Sequence, residues 1–201
     1  MNTVITIGRE FGSGGREVGK RLADILGIAY YDKEIITEIA QKTDIAAEYV
    51  NRVVERNPVM SYPITIGRSF YPVSDPHADI NNKIYVEQSN ILREMAEKSD
   101  CVIVGRCADY ILRDFDPFKV FVYSDMASKI ARCRLKGPEN ENMSDKELKR
   151  HIKNIDKDRA RYYKFFTGWT WGDKLNYDIC VNTTDADIRV IAEALAKLIK
   201  P

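Results

Sequence analysis

Ile5-Thr-Ile-Gly-Arg-Glu-Phe-Gly-Ser-Gly-Gly-Arg-Glu-Val-Gly-Lys20 is the stretch that decides how this chain is read. Three β-branched residues run into a turn holding Gly12, Gly14 and Gly15, and an amphipathic helical pattern opens from Arg16. A strand that enters a glycine turn and leaves as a helix lets backbone N–H groups converge on an anion, because no Cβ blocks close approach or a positive φ. The helix start adds its unpaired amides and the positive end of its dipole. A phosphate suits this arrangement, and Gly12, Ser13, Gly14, Gly15, Arg16 and Glu17 are the residues expected to hold it. A Walker A loop reads Gly-x-x-x-x-Gly-Lys-Ser/Thr. Here Gly15 and then Arg16 stand where the lysine should follow Gly14, and Glu17 stands where a Mg²⁺-binding hydroxyl should come. Arg16 is the expected replacement cation, although its planar fork is not equivalent to an ammonium. Ser13 is the only hydroxyl in the loop and so its candidate metal ligand.

Outward from this loop, short β-branched runs alternate with helical patterns. Thr3–Ile7, Ala29–Tyr31, Cys101–Val104, Lys119–Tyr123 and Tyr177–Val181 read as strands. Helical periodicity fills Arg16–Leu26, Lys33–Thr43, Ile45–Arg56, Ile80–Lys98, Asp125–Leu135, Asp145–Phe166 and Asp185–Ile199. Such alternation predicts an α/β fold with a mostly parallel sheet covered by helices on both faces. Ser144 with Glu147, and less ideally Thr184 with Asp187, have the spacing of capping boxes. The stretch 57–79 breaks the alternation with Pro58, Pro63, Pro72 and Pro76, and a loop of that length is more often functional than idle.

Composition narrows the classes. Within 201 residues, 31 Lys and Arg balance 30 Asp and Glu, so a net charge of +1 exerts no overall pull towards nucleic acid or membrane. The four cysteines form no CxxC pair and only two histidines accompany them, which argues against zinc and against a disulfide framework. No apolar run approaches the roughly 20 residues a membrane helix needs. The first residues lack the basic start and apolar stretch of a signal peptide, so the cytoplasm is the expected location.

Two further residues stand out on position alone. Asp32 directly follows the second strand, where it either holds Mg²⁺ through water and orients an acceptor, or caps the helix beginning at Lys33. Arg159 falls in the middle of the apolar stripe formed by Leu148, Ile152, Ile155, Tyr162 and Phe166, whereas Arg150, Lys153, Lys157, Arg161 and Lys164 fall opposite. A charge on an inward stripe requires a partner, either a bound triphosphate or an internal carboxylate. The aromatic run from Tyr162 to Trp171 is expected to pack against the core rather than to stack on bases. His77 and His151 have no cysteine or acid at ligand spacing, so neither is assigned a role.

The chain resembles the cytidylate-kinase-like proteins, a branch of the P-loop nucleoside monophosphate kinases. The likeness covers nearly the whole chain and rests on Gly8–Glu17, Tyr30–Glu34, Val102–Tyr110, Arg159–Tyr163 and Asn176–Asp178. It implies a P-loop kinase-like three-layer fold with a five-stranded parallel sheet, a helical monophosphate-binding insertion over residues 45–85 and a helical lid within residues 136–166. It also implies ATP and Mg²⁺ as cofactors, Arg106 contacting the acceptor nucleotide with Asp109 beside it, and Arg159 as the lid arginine. Asp32, Arg16 and Arg159 are then the candidate catalytic residues, and Ser13 and Asp32 the candidate metal ligands. CMP or dCMP is the acceptor that the resemblance favours. Cytidylate kinases keep the loop lysine that this chain lacks, so three readings stand: an ATP-dependent kinase for a nucleotide, a kinase for another small molecule, and a nucleotide-binding or sensing module without catalysis. A nucleic-acid-binding role for the basic helix face is disfavoured by the neutral charge and the lack of an interleaved aromatic–basic patch.

Overall fold

The computed structural model describes residues 2–55, 76–136 and 143–199. The proline-rich stretch between the third and fourth helices therefore lies almost wholly outside the described residues, as does the first part of the expected lid. Among the described residues there are five strands: β1 (Val4–Arg9), β2 (Ala29–Tyr31), β3 (Cys101–Val104), β4 (Phe118–Tyr123) and β5 (Ile179–Asn182). All pair in parallel in the order β2-β3-β1-β4-β5. The helices are α1 (Gly15–Leu26), α2 (Glu34–Thr43), α3 (Ala47–Glu55), α4 (Pro76–Lys98), α5 (Ala108–Ile111), α6 (Met126–Lys136), α7 (Asp145–Thr167) and α8 (Ile188–Ile199).

Alternation along the strands sorts the core into two layers. Ile5, Ile7, Val102, Val104, Val120 and Val122 face Val18 and Leu22 of α1 and Ile188 and Leu195 of α8. Val4, Cys101 and Ile103 face the other way, onto α2, α3, α4 and α7 through Ile35, Val50, Ile91 and Tyr162. Strands buried on both sides need continuous apolar runs, and β3 is fully buried along its length. The chain leaves β1 for strands on one side and reaches β4 on the other. The carboxyl ends of β1, β3 and β4 therefore meet at a topological switch point, where open α/β sheets bind ligands.

Local signals set most element ends. Ser144 accepts from the Glu147 N–H and Glu147 reaches back to the Ser144 N–H at 2.8 Å, completing the expected capping box of α7. The second expected box does not form. Helix α8 begins at Ile188, the Arg189 N–H donates to Asp187, and Thr184 instead accepts from the Asp125 N–H at 2.9 Å. Thr184 is thus a tie between the ends of β4 and β5, a tertiary contact that outcompeted the local one.

Candidate functional site

The stretch after β1 is neither extended nor filled by its own side chains. Gly12 (φ 76°) and Gly14 (φ 83°) are left-handed, and Gly14 is the N-cap of α1, so no N-cap side chain accepts from the first amides of the helix. Ser13 is fully buried, donating its hydroxyl to the Glu10 carbonyl at 2.8 Å while its own carbonyl accepts from Thr183 Oγ1 at 2.7 Å. Glu17 pairs with Arg21 along the helix at 3.0 Å. Arg16 leans across to Asp32, Nε to Oδ2 at 2.8 Å. With these side chains engaged elsewhere, the amides opening α1 are what the loop presents, and an anion is their natural partner.

Asp32 is 5% exposed and sits between two guanidinium groups, those of Arg16 and of Arg9 at 3.7 Å. It does not cap α2: that N-cap is Lys33, in helical conformation and without a side-chain cap. The Asp32 N–H donates to Glu34 at 3.1 Å, and backbone N–H donors hold the Glu34 carboxyl below its usual range. Beside this cluster, burial and then the Asp32 charge push the Tyr30 hydroxyl up to about 12.

Arg9 was not among the residues that the sequence reading selected. It ends β1, is 6% exposed, and its guanidinium lies directly over Gly105, where any Cβ would overlap Nη1. The signal was in the loop spacing: counting the Walker pattern back from Gly14 puts its first glycine at position 9.

At the end of β3 the chain makes three successive left-handed residues, Gly105 (φ 74°), Arg106 (φ 61°) and Cys107 (φ 54°). Non-glycine residues adopt this region at a cost of roughly 1–2 kcal/mol each, and such outliers cluster where a side chain must be presented to a ligand. Gln88 from α4 secures the turn by donating to the Arg106 carbonyl at 2.9 Å. The turn aims Arg106 into a solvent-open pocket that Arg9, Asp109 and Arg159 also line. Asp109 is buried, accepts from the Tyr163 hydroxyl at 2.6 Å, and has its carboxyl raised above the usual range by burial. Arg159 reaches in from α7, Nη1 to the Arg9 carbonyl at 3.4 Å, with its guanidinium 5.8 Å from the centre of the Phe11 ring. The structure thus gathers Arg106, Asp109 and Arg159 around one hollow, with Arg16 and Asp32 joined to it through Arg9.

Lys129 of α6 was also missed. It is 4% exposed, with Nζ 2.8 Å from Glu10 and 3.0 Å from Asp156. Asp156 of α7 also accepts the Phe11 N–H at 2.7 Å, and burial raises its carboxyl. Gly12 packs so closely on this helix that a Cβ would lie 3.0 Å from the Lys129 carbonyl oxygen. Nothing local in the sequence marks Lys129, because its partners come from two distant segments.

Ser13 and Asp32 do not fit direct coordination of Mg²⁺ in this arrangement. The Ser13 hydroxyl is buried against a carbonyl, and the Asp32 carboxylate is held by two arginines. Among the described residues no three His, Cys, Asp or Glu side chains gather as a metal site. Nor is any helix among them long and apolar enough to cross a membrane.

A model of the cytidylate kinase-like family matches residues 4–185. No curated protein matches. Among solved structures, an uncharacterized protein from Eubacterium ventriosum ATCC 27560 is similar over 98% of each chain, at 30% identity and a TM-score of 0.71. The shikimate kinase from Bacteroides thetaiotaomicron is similar over 99% of each chain, at 17% identity and a TM-score of 0.59. A shikimate kinase from Acinetobacter baumannii, in complex with shikimate, is similar over 99% of this chain and 93% of that one, at 16% identity and a TM-score of 0.55. These two likenesses speak for architecture alone: a P-loop kinase-like, three-layer α/β fold.

Proposed function

Since this chain belongs to the cytidylate kinase-like family, we propose that it transfers the γ-phosphoryl group of ATP to a small acceptor, with CMP or dCMP leading. The observation that carries the reading is the meeting of two anion-seeking features, the glycine-capped start of α1 and the three-arginine pocket at the neighbouring strand ends. The triphosphate lies on Gly12–Glu17, with Arg16 beside it. The acceptor lies towards Arg106 and Asp109, and Arg159 lies over the group in transit. An acceptor oxygen bonds to the γ-phosphorus as the bond to the β–γ bridging oxygen breaks. ADP leaves with that electron pair, and any acceptor proton passes to solvent. Such chemistry asks for positioning and charge stabilisation more than covalent help. Residues 45–85 form the acceptor-binding insertion, and the lid within 136–166 excludes water that would otherwise hydrolyse ATP. The reaction takes place in the cytoplasm, on free nucleotides.

A second reading, a nucleotide sensor without turnover, draws on Gly15 in the lysine position and on the engaged Ser13 hydroxyl. Incubating the protein with ATP, Mg²⁺ and a panel of CMP, dCMP, other monophosphates and shikimate, while following ADP release, separates the two. Acceptor-dependent ADP supports the kinase. Tight ATP binding without turnover supports the sensor, and absence of ATP binding overturns both.

A further inference from the structure

Besides the missing hydroxyl, the loop departs from the Walker pattern at two positions that touch. The pattern that ends at Gly14 asks for glycine at position 9 and lysine at position 15, whereas this chain has Arg9 and Gly15. A Cβ built on Gly15 would overlap the Cβ of Arg9 and stand 3.1 Å from its Cγ, with Val122 on the other side at 3.3 Å. No side chain fits at position 15 while arginine occupies position 9. The stem of Arg9 runs through the space where a side chain at position 15 would begin. Its buried guanidinium continues to Gly105 at the end of β3 and to Asp32 after β2.

Resting on the nucleotide reading above, we propose that Arg9 and Gly15 are an exchanged pair. The cation that meets the phosphates of a bound nucleoside triphosphate comes from the end of β1 as Arg9, not from the start of α1. Gly15 is glycine because the arginine stem needs its space. Delivery from β1 puts a planar, five-donor fork at the wall shared by the phosphate loop and the Arg106 pocket, a geometry suited to bridging two phosphate oxygens. Asp32 positions that fork, and Arg16, on the exposed side of Asp32, supports it from outside.

Titration calorimetry with ATP, and separately with inorganic tripolyphosphate, with and without Mg²⁺, tests this on the intact protein. Arg9→Ala is expected to weaken both ligands at least about tenfold, the loss of one charge-assisted contact, and Arg16→Ala to weaken them less. Gly15→Lys alone is expected to lower the thermal midpoint and weaken binding, because the new side chain meets Arg9. Arg9→Gly combined with Gly15→Lys restores the glycine and the lysine of the Walker pattern and is expected to regain most of both losses. Wild-type affinity in Arg9→Ala, or a double variant that binds no better than Arg9→Gly alone, overturns the exchange while leaving the nucleotide reading standing. A wild-type protein that binds neither ATP nor tripolyphosphate overturns that reading and the exchange together. Arg9→Lys is measured alongside, should Arg9→Ala fail to fold, and is expected to keep partial affinity.

Discussion

Gly105 shows how far a single position constrains this site. It has a positive φ, and the space where its Cβ would go is filled by the Arg9 guanidinium. Gly105→Ala must both strain the backbone and displace a buried cation. A loss of about 1–3 kcal/mol in urea denaturation is expected, together with weaker ATP binding. Asp109 presents a different constraint. Burial raises its folded-state value above the ordinary 3.8, so its contribution to stability is complete below that pH and is lost as pH rises through the raised value. Asp109→Asn removes that dependence while still offering an acceptor to the Tyr163 hydroxyl. Thermal unfolding across a pH series should show the variant gaining on wild type as pH rises from about 3.8, and parallel pH profiles would refute this.

At the scale of the element, α7 links the loop to the pocket. The wheel drawn from the sequence placed Leu148, Ile152 and Tyr162 inward, and all three are buried, while Arg150, Lys153, Lys157, Arg161 and Lys164 are exposed as expected. The wheel underrated Asp156 and Tyr163, which tie the helix to Phe11 and Asp109. The aromatic run beyond them packs inward only in part: Phe166 stacks on Tyr85 at 4.1 Å and Trp171 lies edge-on to Phe121 at 5.3 Å, whereas Phe165 and Trp169 are exposed. Removing the start of this helix with Ser144→Ala should cost about 1 kcal/mol by denaturant unfolding. Arg159→Ala is expected to lower kcat more than ATP affinity, as the proposed place of this arginine over the group in transit requires. Equal losses in the two would assign it to ground-state binding instead.

For the molecule as a whole, Lys129 joins three segments that share no local sequence signal: Glu10 after β1, its own helix α6, and Asp156 of α7. Lys129→Met leaves two carboxylates facing each other without their cation. Breaking a buried pair in this way costs about 3–5 kcal/mol, and the partial exposure of Glu10 places the expected loss near the lower figure. Chemical denaturation measures it, and a neutral result would mean that the two acids simply take up protons. The strands were legible because each is a short apolar run bounded by turn residues; β2 and β3 have the expected limits. The four-residue α5 was not, since one turn is too short to show a period.

Alternating strand and helix patterns were enough to determine a parallel α/β sheet, and three glycines after the first strand with an arginine after the third pointed to the proposed anion site at its switch point. Those signals are local: periodicity and backbone freedom are properties of neighbours in the chain. Which cation stands at the loop, and what each carboxylate holds, was decided only by tertiary structure. Arg9 meets Gly15 and Gly105, and Asp32 lies between two arginines, only once the strand ends lie side by side. The energy of a buried charge depends on partners brought together by folding, and no window of sequence contains them.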